Sequence, residues 1–257
     1  MKTIVITCFK YQQVAEALRR NLETLDMQAV FLTDARLPSS VEQVVCGETL
    51  WAQRVATQLR QLSEDYVLLF LDDYFVLNAL SDATKKTLTD FLSSQSPDYV
   101  RLVNVPKRKL KATFEPLDSD ENYQVNLQSA VWRRDVLISL LDAAHGNPWQ
   151  TEVRLQKLML ERPEGLSRSF VMRTELYIYN GVIKGKWQRD YRKKLAGYLP
   201  PSSSVDLPVM RWHEQLRYDF RAAASALLTH ERMRAAVKRV LMAFGMHFYS
   251  EEKNNGR

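Results

Sequence analysis

The sequence predicts an α/β fold, a mostly parallel sheet flanked by helices, followed by a basic helical C-terminal extension. Three observations lead there. Residues 66 to 71, Tyr-Val-Leu-Leu-Phe-Leu, form an apolar run with no polar alternation, as expected of a strand covered on both faces. The first seventy residues alternate short apolar runs with segments of helical periodicity, a β-α-β-α-β order that favours a doubly wound sheet with right-handed crossovers. From Asn180 to Arg257 the chain carries 15 Lys/Arg against 7 Asp/Glu, a balance of +8, whereas the other 179 residues balance to −2.

Thr3 to Cys8 reads as the first strand. Val14, Ala17, Leu18, Leu22 and Leu25 give Gln12–Leu25 helical spacing. Gln28 to Leu32 is the second strand, and a loop with Pro38-Ser39-Ser40 follows. Trp51, Val55, Leu59 and Leu62 mark Leu50–Leu62 as a second amphipathic helix, which leads into the strand ending at Asp72. Further on, Thr84–Leu92 reads as helix, Tyr99–Val105 as strand, and 106 to 122 as a mobile polar loop or short hairpin. Gln124–Trp132 reads as strand and Arg134–Ala144 as helix. Asn147-Pro148 is a helix entry, because Asn caps and Pro suits the first helical position. Phe170–Tyr179 is extended, Asn180-Gly181 has turn chemistry, and Lys184–Lys194 is a basic loop. Pro200-Pro201-Ser202-Ser203-Ser204 separates a domain of residues 1–200 from the extension, 201–257, where Val209–Tyr249 reads as one or two helices.

Composition narrows the function classes. Two cysteines, Cys8 and Cys46, make no disulfide framework and no Cys/His zinc cluster. No secretory signal and no apolar run long enough for a membrane span are visible, so a cytoplasmic setting is expected. Neither a Walker loop nor G-x-G-x-x-G occurs. The basic C-terminal third implies an anionic partner there. Its segment with Val237, Val240, Leu241, Phe244 and Phe248 interleaved with Arg232, Arg234, Lys238 and Arg239 reads as a basic amphipathic helix. Such a helix would lie peripherally on the inner face of an anionic membrane.

Three constellations carry chemistry. Asp72 and Asp73 follow the buried strand, at the carboxyl edge where open α/β sheets bind ligands. Two adjacent carboxylates suit Mg2+ or Mn2+, which often take one or two carboxylates plus substrate phosphates; helix capping or a turn is the alternative role. Glu152 falls in the first turns of the helix entered at Asn147-Pro148, as a candidate general base or as a charge that merely suits the helix dipole. Asn180 to Trp187 holds two glycines, two lysines and an indole. It could close over a diphosphate, with Trp187 as a stacking face, or form a hairpin with a solvated cationic edge.

Together these segments resemble the GT-A-fold glycosyltransferases of bacterial surface polysaccharide and lipopolysaccharide assembly. The resemblance rests on Leu71-Asp72-Asp73-Tyr74-Phe75, Leu127-Gln128-Ser129-Ala130-Val131-Trp132, Asn147-Pro148-Trp149 with Glu152, and Tyr179 through Trp187, over roughly residues 1 to 190. It departs from the usual Asp-x-Asp metal motif, since the chain reads Asp-Asp-Tyr. The resemblance implies a nucleotide-sugar donor and a lipid-linked or polysaccharide acceptor, with no nucleic acid. It implies a Mg2+ or Mn2+ ion on Asp73, with Asp72 sharing the ion or facing the sugar or ribose. It further implies Glu152 as the base of an inverting transfer, Lys184, Lys186 and Trp187 at the donor diphosphate, and Gln128, Trp132 and Trp149 at the sugar or acceptor. A retaining mechanism stays open. Two other classes compete: a sugar-phosphate nucleotidyltransferase, disfavoured because Cys8-Phe9-Lys10-Tyr11-Gln12-Gln13 has no glycine, and a non-catalytic anion-binding module.

Overall fold

A computed structural model of the chain describes residues 1–103, 109–117, 125–127, 129–144, 146–162, 164–199 and 206–227. The chain divides into one compact unit, Met1–Val209, and a second, Met210–Arg257. The first half of the larger unit follows the expected alternation, with one strand, Gln43–Val45, where only a loop was expected. Strand β1 (Lys2–Ile6) passes through a 3-10 turn at Phe9–Tyr11 into helix α1 (Gln12–Glu23). Strands β2 (Val30–Thr33) and β3 (Gln43–Val45), helix α2 (Trp51–Leu59) and strand β4 (Tyr66–Leu71) come next. The chain continues through β5 (Tyr74–Asn78), α3 (Asp82–Gln95), β6 (Tyr99–Arg101), β7 (Phe114–Pro116) and β8 (Ala130–Arg133). Helices α4 (Arg134–Asp142) and α5 (Pro148–Glu161) precede β9 (Ser169–Met172) and β10 (Tyr177–Asn180). A hairpin of β11 (Val182–Ile183) and β12 (Lys186–Trp187) and the short helix α6 (Tyr191–Lys194) complete this unit. In the second unit, helix α7 spans Trp212–Leu227.

Among the described residues the main sheet has eight strands, in the order β3-β2-β1-β4-β8-β6-β9-β7. Strands β3, β2, β1 and β4 run parallel, as do β6 and β9, while β8 is antiparallel to both neighbours and β7 to β9. Side-chain alternation feeds two cores. Ile4, Ile6, Val67 and Leu69 face the layer of α2, α4 and α5. Val5, Leu68 and Phe70 face the layer of α1, α3 and a small second sheet. That two-sided burial explains why β4 carries no polar residue, each such side chain contributing about 1.5–3 kcal/mol.

The second sheet pairs β5 with β10, antiparallel, with Tyr74 opposite Asn180 and Asn78 opposite Tyr177. Here the structure corrects the sequence reading. Phe170–Tyr179 is two strands in two sheets, and β5 begins one residue after Asp73. In the described part of Gln124–Trp132 strand begins only at Ala130, and in the described part of Tyr99–Val105 strand ends at Arg101. The tight turn lies at Lys184-Gly185, not Asn180-Gly181, and the basic loop is the hairpin's end plus α6. The capping reading of α5 matches: Asn147 Oδ1 accepts from the Gln150 N–H at 3.0 Å, and Gln150 Oε1 accepts from the Asn147 N–H at 3.0 Å. Beyond Leu227 the expected amphipathic tail, with Arg232 to Phe248, lies outside the described residues. Among the described residues no helix is long and apolar enough to cross a membrane.

The loop entering β10 also steadies α3. Ser81 caps this helix by accepting from Thr84 N–H, and the Glu175 carboxylate accepts from Ser81 N–H at 2.5 Å and from the Thr84 hydroxyl at 2.9 Å. Slight burial pushes the Glu175 carboxyl up, but these hydrogen bonds outweigh it and hold it down to about 2. A carboxyl with a lowered folded pKa stabilises above its ordinary range and loses that contribution as pH falls toward 2. Glu175→Gln should therefore lower Tm at pH 7 by on the order of 2 °C, exposure limiting the effect. In thermal melts the gap to the unsubstituted protein should close between pH 4.5 and 2; a constant gap would show that charge is not involved.

Candidate active site

The site is built where the chain leaves the main sheet. Strand β4 ends at Leu71, Asp72 and Asp73 form the turn, and β5 enters the second sheet. Asp72 is tied back to β1, where the Thr7 hydroxyl donates to Asp72 Oδ2 at 2.6 Å. Thr7 is itself held by a buried cation: Arg54 of α2 donates Nη2–H to the Thr7 carbonyl at 2.9 Å, and its Nη1 lies 3.7 Å from Asp34 Oδ1 at the end of β2. Asp34 Oδ1 also accepts from Phe9 N–H at 2.6 Å. The carboxyl ends of β1, β2 and β4 thus share one network.

Asp73 is anchored through its backbone. Its carbonyl accepts from Gly181 N–H at 3.0 Å, joining the turn to the start of the β11–β12 hairpin. A Cβ on Gly181 would lie 2.8 Å from Phe75 Cδ2 and 3.2 Å from Trp187 Cζ3, so only glycine allows this approach. The side chain is less satisfied: Asp73 Oδ1 is buried and has no hydrogen-bond partner.

Glu152 joins the pair from the opposite layer. It stands in the second turn of α5, and its Oε1 accepts from Leu127 N–H at 2.9 Å. Burial pushes the Glu152 carboxyl up, partly offset by that hydrogen bond. Burial pushes Asp72 up to about 6, against the opposing effects of the Thr7 hydroxyl and the Arg54 charge. Burial, and then the Asp72 and Glu152 charges, push Asp73 up to about 8. Asp73, raised by two neighbouring carboxylates and with a buried oxygen that has no hydrogen-bond partner, is where a cation would be favoured.

The donor set fits Mg2+ or Mn2+ in the form that leaves coordination positions to a substrate. Among the described residues no group of three or more His, Cys, Asp or Glu is spaced to hold an ion, so the protein alone would contribute the Asp72/Asp73 pair. That is the sparse carboxylate set Mg2+ commonly has beside phosphates.

The hairpin carrying Lys184 and Lys186 reaches the same rim. Lys184 has φ 51° and Gly185 φ 73°, the two left-handed residues of a type I′ turn. A non-glycine residue there costs of order 1–3 kcal/mol and persists only where its surroundings enforce it. A Cβ on Gly185 would lie 3.9 Å from Tyr11 Cε1, so the tip sits over the 3-10 turn that follows β1.

Other expected residues fall elsewhere. Trp187 is not an open stacking face: it is 1% exposed, stacks on Tyr191 at 4.5 Å and packs against Phe75 at 5.4 Å. Strand alternation turns it inward, opposite Val182. Trp132 does not line a pocket beside the carboxylates. It is fully buried against Tyr99 and pairs with Val67, five residues or about 17 Å of strand from Asp72. Trp149 is 54% exposed and sits one helical turn before Glu152, on the same face of α5. Gln128 lies outside the described residues. Thr7 and Arg54 were not singled out by the sequence reading, and Gly181 was read there only as part of a turn and of the basic loop. Thr7 ends a strand without motif context, and Arg54 reads as an ordinary polar position of an amphipathic helix.

No known protein-family description matches the chain, and no curated protein matches it. Among solved structures, the chain is similar to S. aureus TarS 1-349 at 14% identity and TM-score 0.43, over 70% of this chain and 60% of that one. It is similar to the same fragment in complex with UDP-GlcNAc at 14% identity and TM-score 0.44, over 83% and 69%. It is also similar to a nucleotidyl transferase from Methanothermobacter thermautotroptrophicus at 15% identity and TM-score 0.43, over 68% and 87%. The chain thus spans less than two thirds of the first of these chains, and likeness at this level carries no argument about activity.

The crowding at Asp73 has a measurable consequence. Asp73→Asn keeps the side chain's shape and removes an acid whose ionisation the fold penalises through burial and the Asp72 and Glu152 charges, so it should raise the Tm of the ligand-free protein at pH 7 by about 2–4 °C. A lower Tm in a thermal melt would mean that the carboxylate is already compensated.

Proposed function

We propose that the protein is a glycosyltransferase that moves a sugar from a nucleotide-sugar donor to a hydroxyl of a lipid-linked saccharide or lipopolysaccharide acceptor, with inversion and with a divalent metal. The observation that carries this reading is the meeting of Asp72, Asp73 and Glu152 at the carboxyl edge of the parallel strands, with one Asp73 oxygen buried and unpartnered.

Asp73, with Asp72 beside it, would hold Mg2+ or Mn2+. When bound, the ion would supply neutralisation of the charge on a departing nucleoside diphosphate. Thr7 keeps Asp72 turned toward the rim, and Arg54 holds Thr7 in place. Lys184 and Lys186, on the hairpin over the β1 turn, would add charge-assisted contacts to the same diphosphate. Glu152 would take the proton of the acceptor hydroxyl: its Oε1 is engaged by Leu127 N–H, which fixes the carboxylate and leaves the second oxygen to act as the base. Trp149, exposed on the same helix face, would offer a ring to the acceptor sugar. The +8 balance of the C-terminal third supports contact with an anionic membrane carrying a lipid-linked acceptor.

A nucleotidyltransferase would need a backbone cradle for a triphosphate after the first strand. Here that segment winds directly into the 3-10 turn and α1, with no glycine.

In a transfer assay with a nucleotide-sugar donor, Asp73→Ala should abolish turnover and the metal-dependent thermal shift by nucleoside diphosphates. Glu152→Gln, which retains an acceptor for Leu127 N–H, should keep that thermal shift and lower kcat by about 10²–10⁴-fold. Full activity in either variant removes that residue from the mechanism.

A further inference from the structure

A cavity of about 670 Å³ opens at the end of β5 away from the carboxylates, within the roughly 300–1,000 Å³ typical of ligand pockets. Leu77 and Asn78 of β5, Tyr177 of β10, Asp190, Lys193 and Lys194 around α6, and Tyr198 line it. From this lining we propose that the cavity is a distal acceptor subsite for an anionic sugar, a residue of the growing saccharide that carries a carboxylate. The proposal rests on the transferase reading above and gives its acceptor a chemical class.

Four features carry it. Two tyrosines, one of them 53% exposed, offer rings of the amphipathic kind on which a pyranose face can pack. Lys193 and Lys194 have no ion-pair partner among the described residues, and Arg189 and Arg192 flank them in sequence. Asp190 is their sole acidic neighbour in that stretch, and its Oδ1 accepts from the Tyr179 hydroxyl at 2.5 Å, which fixes the carboxylate on the second sheet. The charge of Lys193 and Lys194 therefore remains for a ligand.

The walls are also rigid. Buried Asn21 accepts from Val76 N–H and donates to the Val76 carbonyl and, at 3.4 Å, to the Tyr198 carbonyl, so β5, α1 and the segment after α6 are pinned together. Asn78 Nδ2–H donates to the Glu175 carbonyl at 2.8 Å. The third and fourth features meet in β5 itself. It runs from Tyr74, beside Asp73, to Asn78 in the cavity wall, about 13 Å of strand. One rigid strand thus connects the reaction centre to the cavity, at a separation suited to an acceptor longer than one sugar.

The test is calorimetric titration of the full chain with trigalacturonate, with maltotriose as the neutral counterpart and inorganic phosphate as the bare anion. Trigalacturonate should bind at least about tenfold more tightly than either control, and Lys193→Ala/Lys194→Ala should weaken it about tenfold. Tyr177→Ala, at an exposed ring, should weaken it several-fold. Asp73→Asn should leave this binding unchanged while abolishing transfer, so failure of the transferase reading and failure of the subsite appear in different measurements. Equal affinity for phosphate and trigalacturonate, no discrimination against maltotriose, or indifference to the double lysine substitution would overturn the proposal.

Discussion

The rim of the sheet is organised by the cost of turning two carboxylates out of a buried strand. β4 is apolar on both faces because both faces are covered, so its first polar residues come where the strand emerges. Asp72 meets this constraint by accepting from the Thr7 hydroxyl. Asp73 meets it only through its backbone, bonded to Gly181, and leaves a side-chain oxygen buried without a partner. A buried polar group without a partner is costly in a folded protein, and this is the cost that the cation of the proposed function would relieve.

That constraint propagates. Holding Asp73 requires Gly181 to approach Phe75 and Trp187 more closely than any side chain would permit. Trp187 in turn fills the core between β5 and Tyr191, and the hairpin it anchors puts a left-handed lysine over the turn that follows β1. The second sheet is therefore more than an appendage. It fixes the carboxylate turn at one end and bounds a cationic, aromatic cavity at the other.

The layers divide the chemistry as well. One core, with α2, α4 and α5, delivers Glu152 and Arg54 to the rim from one face. The other, with α1, α3 and the second sheet, delivers the hairpin. Residues brought to the rim are far apart in sequence, Thr7 and Gly181 by 174 positions, so the site exists only once the sheet has closed its crossovers.

The sequence by itself determined the α/β class, the buried strand ending in Asp72-Asp73, and the helix entry at Asn147-Pro148 that carries Glu152. Each of these is local: an apolar run, a strand-end carboxylate, a cap and a proline act through neighbouring residues. Tertiary structure alone decided that β8 runs against its neighbours, that Phe170–Tyr179 splits between two sheets, and that Trp132 and Trp187 are core rather than pocket. It also decided which cation orients Thr7. Burial of an aromatic ring, or the pairing of a guanidinium with a distant carbonyl, depends on what long-range packing brings alongside it, and an indole in a short strand reads the same in sequence whether it faces a ligand or the core.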